Sequence, residues 1–248
     1  MTRRRWIANT WTPTTAALSG EQAYHLAHVL RAEPGQIFDL VAGGFLHRAE
    51  VTEVSDTQVL FTLHEELEAA AALPVHLLLA VFKFEPMEWA IEKATELGVD
   101  RITPILARRT EKHLAQAAVK RVERWRRIAL EASQQSRRTD IPEITDPVVL
   151  HLALEREACN HRLLLSETEQ ETTLTAALLS RKATALEAGK EAGDHDTVIA
   201  IGPEGGWTPE EMSLFATFYW QPVTLGPRIL RAETAAIAAL AIISAHLA

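Results

Sequence analysis

The rhythm of apolar and polar positions changes near residue 74. Before it, Gln36-Ile37-Phe38-Asp39-Leu40-Val41 alternates with a period of two. Gly43-Gly44 then supplies a turn, and residues 45–54 continue a hairpin. Residues 57–63 add a further strand, and residues 20–30 read as a short helix. A run of alanines ending in Leu73-Pro74 marks a linker. After it, residues 75–82 form a continuous apolar run, as expected of a strand covered on both faces. Met87, Ala90, Ile91, Ala94 and Leu97 follow at helical spacing, with Gly98 placed to end the helix. Strands are predicted over 102–106, 161–165 and 197–201, and helices over 119–135, 209–217 and 232–247. Residues 180–196, polar and holding Gly189 and Gly193, read as a loose surface excursion. Strand–helix alternation implies an α/β layer fold with a mostly parallel sheet, preceded by a β-rich domain.

Composition narrows this reading. With 248 residues, 47% of them hydrophobic and 23% charged, the chain can bury a full core and is not of disordered type. Cys159 is the single cysteine, which excludes an intrachain disulfide and a thiol zinc cluster, and its place before a buried strand suits a small core residue. His25 and His28 lack a third ligand at suitable spacing, so no metal is expected. The basic start Arg3-Arg4-Arg5 is followed by no apolar segment of signal-peptide type, and the apolar stretch 235–245 is too short to span a bilayer. A cytoplasmic location is expected. The net charge of −8 argues against a surface coated in basic groups. Seven basic residues stand against Glu123 and Glu131 between positions 120 and 138, which reads first as a solvated helix face and second as a patch for nucleic acid.

Two loops carry candidate chemistry. The strand 197–201 runs into Gly202-Pro203-Glu204-Gly205-Gly206, and Thr208-Pro209-Glu210-Glu211 then opens a helix with a capping box. Glycines at a strand's carboxyl end let a ligand approach the backbone, in the crevice where open α/β sheets bind ligands. The spacing is neither GxGxxG nor a Walker loop, which disfavours nucleotide-binding oxidoreductases and NTPases. The second loop, Leu225-Gly226-Pro227-Arg228-Ile229-Leu230-Arg231-Ala232-Glu233-Thr234, precedes the last helix. Arginines at a helix start are disfavoured by the dipole, so Arg228 and Arg231 point to a ligand more than to a cap.

These two loops together resemble the signature of the SPOUT-superfamily 16S rRNA uracil-N3 methyltransferases. Three more segments are similar to that family in the same order: His25 to Arg31, Met87-Glu88 through Lys93 to Val99, and Glu131 to Ser136 with Arg138. The resemblance implies a PUA-like RNA-binding β-barrel over 1–72 and, over 73–248, a SPOUT domain with a parallel sheet and a deep trefoil knot. It implies S-adenosyl-L-methionine as cofactor, held by Leu165, Ser166 and Glu167, by Ile201, Gly202, Pro203, Gly205 and Gly206, and by Leu225, Gly226, Ile229 and Leu230. The expected partners are 16S rRNA or the 30S subunit and a second copy of the chain, with no membrane and no metal. Methylating uridine N3 requires loss of its proton and a base that is unpaired or flipped out. Arg231 is expected to stabilise the developing anion, with Glu233 or Glu204 orienting it or relaying the proton. Arg31, Arg109 and Arg138 are expected to meet phosphates. One departure stands out: Phe84-Glu85-Pro86 follows Lys83 where the family usually has a glycine and a basic residue, a change that bears on RNA contacts and not on the cofactor loops. Two other readings remain open, a knotted methyltransferase acting on another rRNA or tRNA base, and a non-catalytic RNA-binding assembly factor.

Overall fold

The computed structural model describes residues 5–69, 72–187 and 197–247, and the chain divides into two compact units. The first comprises residues 1–71 with 131–141, the second 72–130 with 142–248.

In the first unit, strands β1 (Trp6–Ile7), β2 (Thr10–Trp11), β3 (Thr15–Ser19), β4 (Ile37–Ala42), β5 (Phe45–Val54) and β6 (Gln58–Leu67) form one sheet in the order β1-β4-β5-β6-β3-β2. Only β1–β4 is parallel. Among the described residues this ladder runs as an open path. The predicted hairpin is β4–β5, paired from Ile37↔Glu50 to Ala42↔Phe45. Alternate residues of these strands, Leu40, Val51, Val59 and Phe61, meet Trp6, Leu18 and Leu26 in the core. Leu26 lies in the predicted helix, which forms as α1 (Gly20–Tyr24) and widens into a π-helical turn over His25–Val29. Residues 131–141 join this unit through the Arg5 backbone N–H, which donates to the Gln134 carbonyl at 3.1 Å.

The second unit holds a parallel sheet of β7 (Val75–Ala80), β8 (Arg101–Leu106), β10 (Val148–Val149), β11 (His161–Leu165), β12 (Thr197–Ile201) and β13 (Gln221–Val223), ordered β10-β8-β7-β12-β11-β13, with β9 (Glu143–Ile144) beside β8. Its helices are α2 (Phe84–Glu96), α3 (Lys112–Gln135, whose last turn is grouped with the first unit), α4 (Leu150–Arg156), α5 (Leu174–Glu187), α6 (Pro209–Thr217) and α7 (Ala232–Leu247). All five residues of β12 are buried, because helices cover both faces: Ile199 and Ile201 pack with residues of α2, α3 and α7, while Val198 and Ala200 pack with α4 and α6. Cys159 packs against the second of these clusters.

Two expectations need amendment. Residues 180–187, read as part of a loose excursion, continue α5, because Leu174, Ala177 and Leu178 anchor that helix in the core; residues 188–196 lie outside the described residues. Helix α3 starts at Lys112, seven residues before the predicted 119, since Leu114 and Ala118 already bury themselves in line with Val122 and Trp125. No described helix is long and apolar enough to cross a membrane.

Candidate active site

The carboxyl ends of β11, β12 and β13 open onto one cleft of about 1140 Å³. Small-molecule sites occupy about 300–1,000 Å³, so this one has room for a cofactor and part of a second substrate. Each wall is fixed by local chemistry. After β12, the Gly206 N–H donates to the Pro203 carbonyl at 2.8 Å, closing a tight turn with Gly206 at φ +70°. Side chains at Gly202 and Gly205 would crowd their surroundings: a Cβ would stand 3.1 Å from the Trp207 ring in the first case and 3.3 Å from Arg109 Cδ in the second. The predicted capping box forms: Thr208 Oγ1 accepts from the Glu211 N–H and Glu211 Oε2 accepts from the Thr208 N–H. Glu211 is buried, and its other oxygen accepts from the Arg108 N–H at 2.8 Å, so the loop after β8 is pinned to the glycine loop.

After β11, the Ser166 N–H donates to the Val223 carbonyl, and its buried hydroxyl lies 2.9 Å from that of Thr168. Glu169 accepts from the N–H groups of Thr172 and Glu171 at 2.8 Å each, and these bonds hold its carboxyl below the usual range. Thr224 joins the walls: its backbone exchanges bonds with Thr172 and Leu174, and its hydroxyl lies 3.2 Å from both the N–H and the carbonyl oxygen of Gly226. Gly226 itself sits at φ +113°, a conformation that side chains rarely adopt.

Every residue that the resemblance assigns to the cofactor lines this cleft, as do Glu204, Arg231, Glu233 and Arg109. The geometry separates their roles. Glu204 meets Lys83 Nζ at 3.1 Å, and both side chains are largely exposed. Arg231 is exposed and bonds to neither carboxylate in the structure. Glu233, one residue inside α7, is only 7% exposed. Arg109 donates to the carbonyls of Gly205 and Trp207, holding the glycine loop from outside. Arg31 and Arg138 belong to the first unit. Arg31 is exposed, with φ +51°, whereas Arg138 is buried and its guanidinium meets Asp140.

The basic run on α3 is largely matched. Glu88 takes Arg121 at 3.2 Å and Arg124 at 2.8 Å, and Arg126 meets Glu123 and Asp146. Phe84, the departure from the family pattern, packs edge-on against Trp125 beneath the Arg121 guanidinium, 4.6 Å from its ring centre. Lys83, Trp207 and Thr224 also line the cleft; folding brings Lys83 to the loops, whereas Trp207 and Thr224 directly adjoin them in the sequence. No group of three or more potential metal ligands occurs among the described residues.

Comparison with known proteins agrees with this geometry. Residues 69–244 match the sequence model of an RNA methyltransferase domain, and residues 18–63 match that of an RNA methyltransferase PUA domain. The chain is 37% identical over 237 residues to ribosomal RNA small subunit methyltransferase E of Synechocystis, covering 94% of this chain and 74% of that protein. To the protein of the same name from Bacillus subtilis it is 32% identical over 234 residues, covering 93% and 90%. A putative methyltransferase of Legionella pneumophila, solved with bound SAM, superposes with a TM-score of 0.81 at 31% identity over 99% of this chain and 98% of that one. Ribosomal RNA small subunit methyltransferase E of Neisseria gonorrhoeae, solved with S-adenosyl methionine, gives 0.78 at 27% identity over 96% and 95%.

Proposed function

The chain belongs to the ribosomal RNA small subunit methyltransferase E family, and from that premise we propose that it transfers a methyl group from S-adenosylmethionine to N3 of a uridine in 16S rRNA. The observation that carries this reading is the convergence of three separate strand-end loops on one cleft at the carboxyl edge of a parallel sheet.

The residues present fit the cofactor. Leu165, Ile201, Leu225 and Leu230 offer apolar surface for an adenine, and glycines at 202 and 205 let the loop pack closely against Trp207 and Arg109 while it lines the cleft. Glu167 and Glu204 suit a cationic ligand, and the glycine loop carries no lysine for a phosphate. When bound, the cofactor supplies a methyl group activated by its sulfonium. The chain's own work is to hold the target base in line and to stabilise the charge that spreads over uracil O2 and O4 once N3 loses its proton. Arg231, exposed at the rim beside the start of α7, is the donor placed for that charge.

Residues 1–72 act in this reading as the PUA-like RNA-binding domain and residues 73–248 as the SPOUT methyltransferase domain. Arg31 and Arg109 are the proposed phosphate contacts. Arg138, buried against Asp140, serves better as a brace than as a phosphate ligand. The insertion of β12 between β7 and β11, and the return of the chain through 225–231 into α7, support the trefoil knot that the family resemblance implies. A homodimer acting in the cytoplasm is part of this reading on the strength of the family resemblance.

Incubation with labelled S-adenosylmethionine and 30S particles, naked 16S rRNA or transfer RNA in parallel, followed by mass mapping of nucleosides, tests the reading. The expected product is N3-methyluridine at one position. A methylated base of another kind, or label in transfer RNA alone, would transfer the assignment to another knotted activity, and absence of label would support the non-catalytic alternative.

A further inference from the structure

The identity of the proton acceptor follows from how the cleft treats its two best-placed carboxylates. Glu204 is matched: it sits 3.1 Å from the Lys83 ammonium at the exposed mouth. Glu233 is different. It lines the same cleft, the residue is 7% exposed, and its carboxylate takes part in no hydrogen bond and no ion pair among the described residues. Neighbouring arginines do not neutralise it, for Arg231 and Arg228 are exposed and unbonded to it. The Glu233 oxygens are not among the fully buried atoms that lack a partner, so they keep an opening to solvent at the cleft and can accept from a ligand. Its position in the first turn of α7 eases the negative charge without supplying a hydrogen bond.

We propose that Glu233 is the general base of the reaction, accepting the N3 proton of the target uracil. This rests on the methyltransferase reading above and adds to it the atom that moves the proton. Uracil's pairing edge offers one donor, N3–H, between two acceptors, O2 and O4. A largely buried glutamate whose carboxylate accepts from no donor among the described residues, two positions from the exposed Arg231, complements that edge. Cytosine presents a bare acceptor at N3 and would meet the carboxylate unfavourably, so the same residue favours uracil. In the step, the N3–H bond breaks and its proton passes to a carboxylate oxygen of Glu233. The N3 electron pair forms the new N–CH3 bond, and the electrons of the broken C–S bond stay on sulfur. Charge and atoms balance without another reactant.

The test uses the full chain and an RNA substrate that the wild-type protein methylates. Wild type and Glu233→Gln are compared in single-turnover transfer at saturating cofactor from pH 6 to 9, and in calorimetric binding of S-adenosylhomocysteine. The expected result is unchanged binding with transfer slowed by about 10²–10⁴-fold, the range that general-base catalysis supplies. The residual rate should rise with pH where the wild-type rate has levelled off. Glu233→Asp, which keeps a carboxylate, should recover part of the rate and the wild-type pH profile, and it serves as the test if Glu233→Gln does not fold. Transfer by Glu233→Gln within a few-fold of wild type across the range would overturn the proposal. So would weakened binding with an intact saturated rate, since the carboxylate would then be a cofactor contact. If Glu233→Asp stands in, loss of its rate to background despite normal binding counts against the proposal equally. A wild-type chain that neither binds nor transfers would instead overturn the underlying methyltransferase reading.

Discussion

At the amino-terminal edge of the parallel sheet the polar side chains answer one another, whereas at the carboxyl edge several of them do not. His76, at the start of β7, lies 2.5 Å from Glu157 through Nδ1 and 2.9 Å from Thr103 through Nε2. Arg101 approaches both His76 and Glu157, and Thr145 donates to Thr103. Burial alone would raise the Glu157 carboxyl, but the bond to His76, its charge, the Cys159 N–H and Arg101 together hold it below its ordinary value. His161 and Thr197 share a bond at the same edge, and Arg181 donates to Thr197 at 2.9 Å. Across the sheet, the carboxylate of Glu233 and the exposed guanidinium of Arg231 bond to no other side chain among the described residues. Groups that bond to each other hold a fold together, whereas groups beside a cleft that bond to no other side chain are free to meet a ligand. Substitutions at the two edges should therefore separate stability from activity.

The largest effect is expected at the carboxyl edge. Arg231→Ala should slow methyl transfer by about 10²–10³-fold, the scale of losing one donor to a developing anion. Its thermal midpoint and cofactor affinity should stay near wild type; labelled transfer and calorimetry check this. The converse is expected from Glu157→Ala, which leaves His76 and Arg101 without their carboxylate. It should cost about 3 kcal/mol of stability in denaturant melts, as for other broken buried pairs, and leave cofactor affinity unchanged.

A smaller effect follows from His161, which burial, and then the charges of Arg181 and His246, push down from 6.5 to about 4. The folded value lies below the unfolded one, so above pH 6.5 the neutral ring costs nothing. As pH falls from 6.5 toward 4, the unfolded chain takes up a proton that the folded one resists, and stability drops. Allowing for the ring's partial exposure, wild type should lose about 2 kcal/mol more than His161→Gln across that window in pH-dependent melts. The smallest effect is expected from Lys83→Ala, which breaks an exposed ion pair and should shift stability by less than about 1 kcal/mol in the same melts.

The two edges also differ in how far the sequence revealed them. Loops 202–206 and 225–234 were legible because glycines, a capping box and misplaced arginines mark a strand end and a helix start locally, and the strands at 161–165 and 197–201 and the helix at 209–217 have the predicted bounds. The His76–Glu157–Thr103 network was not legible, since its members lie 81 and 27 residues from His76 and only the register of β7 with β8 and the end of α4 unite them. The same holds for Lys83 with Glu204, and for Arg109, whose grip on Gly205 spans 96 residues. Helix α5 escaped notice because alanines give its faces little contrast and its second half is polar. Glu233 was legible as a candidate, but whether it had a partner depends on packing that no spacing rule encodes.

The central claim, that the cleft holds the methyl donor, is tested most directly by calorimetric titration of the chain with S-adenosylmethionine alongside Gly206→Val, a substitution that strains the turn at φ +70°. Saturable binding by the wild-type chain is expected, with its loss in a Gly206→Val protein that keeps its thermal transition. Absence of binding in the wild type, or equal binding by both, would contradict it.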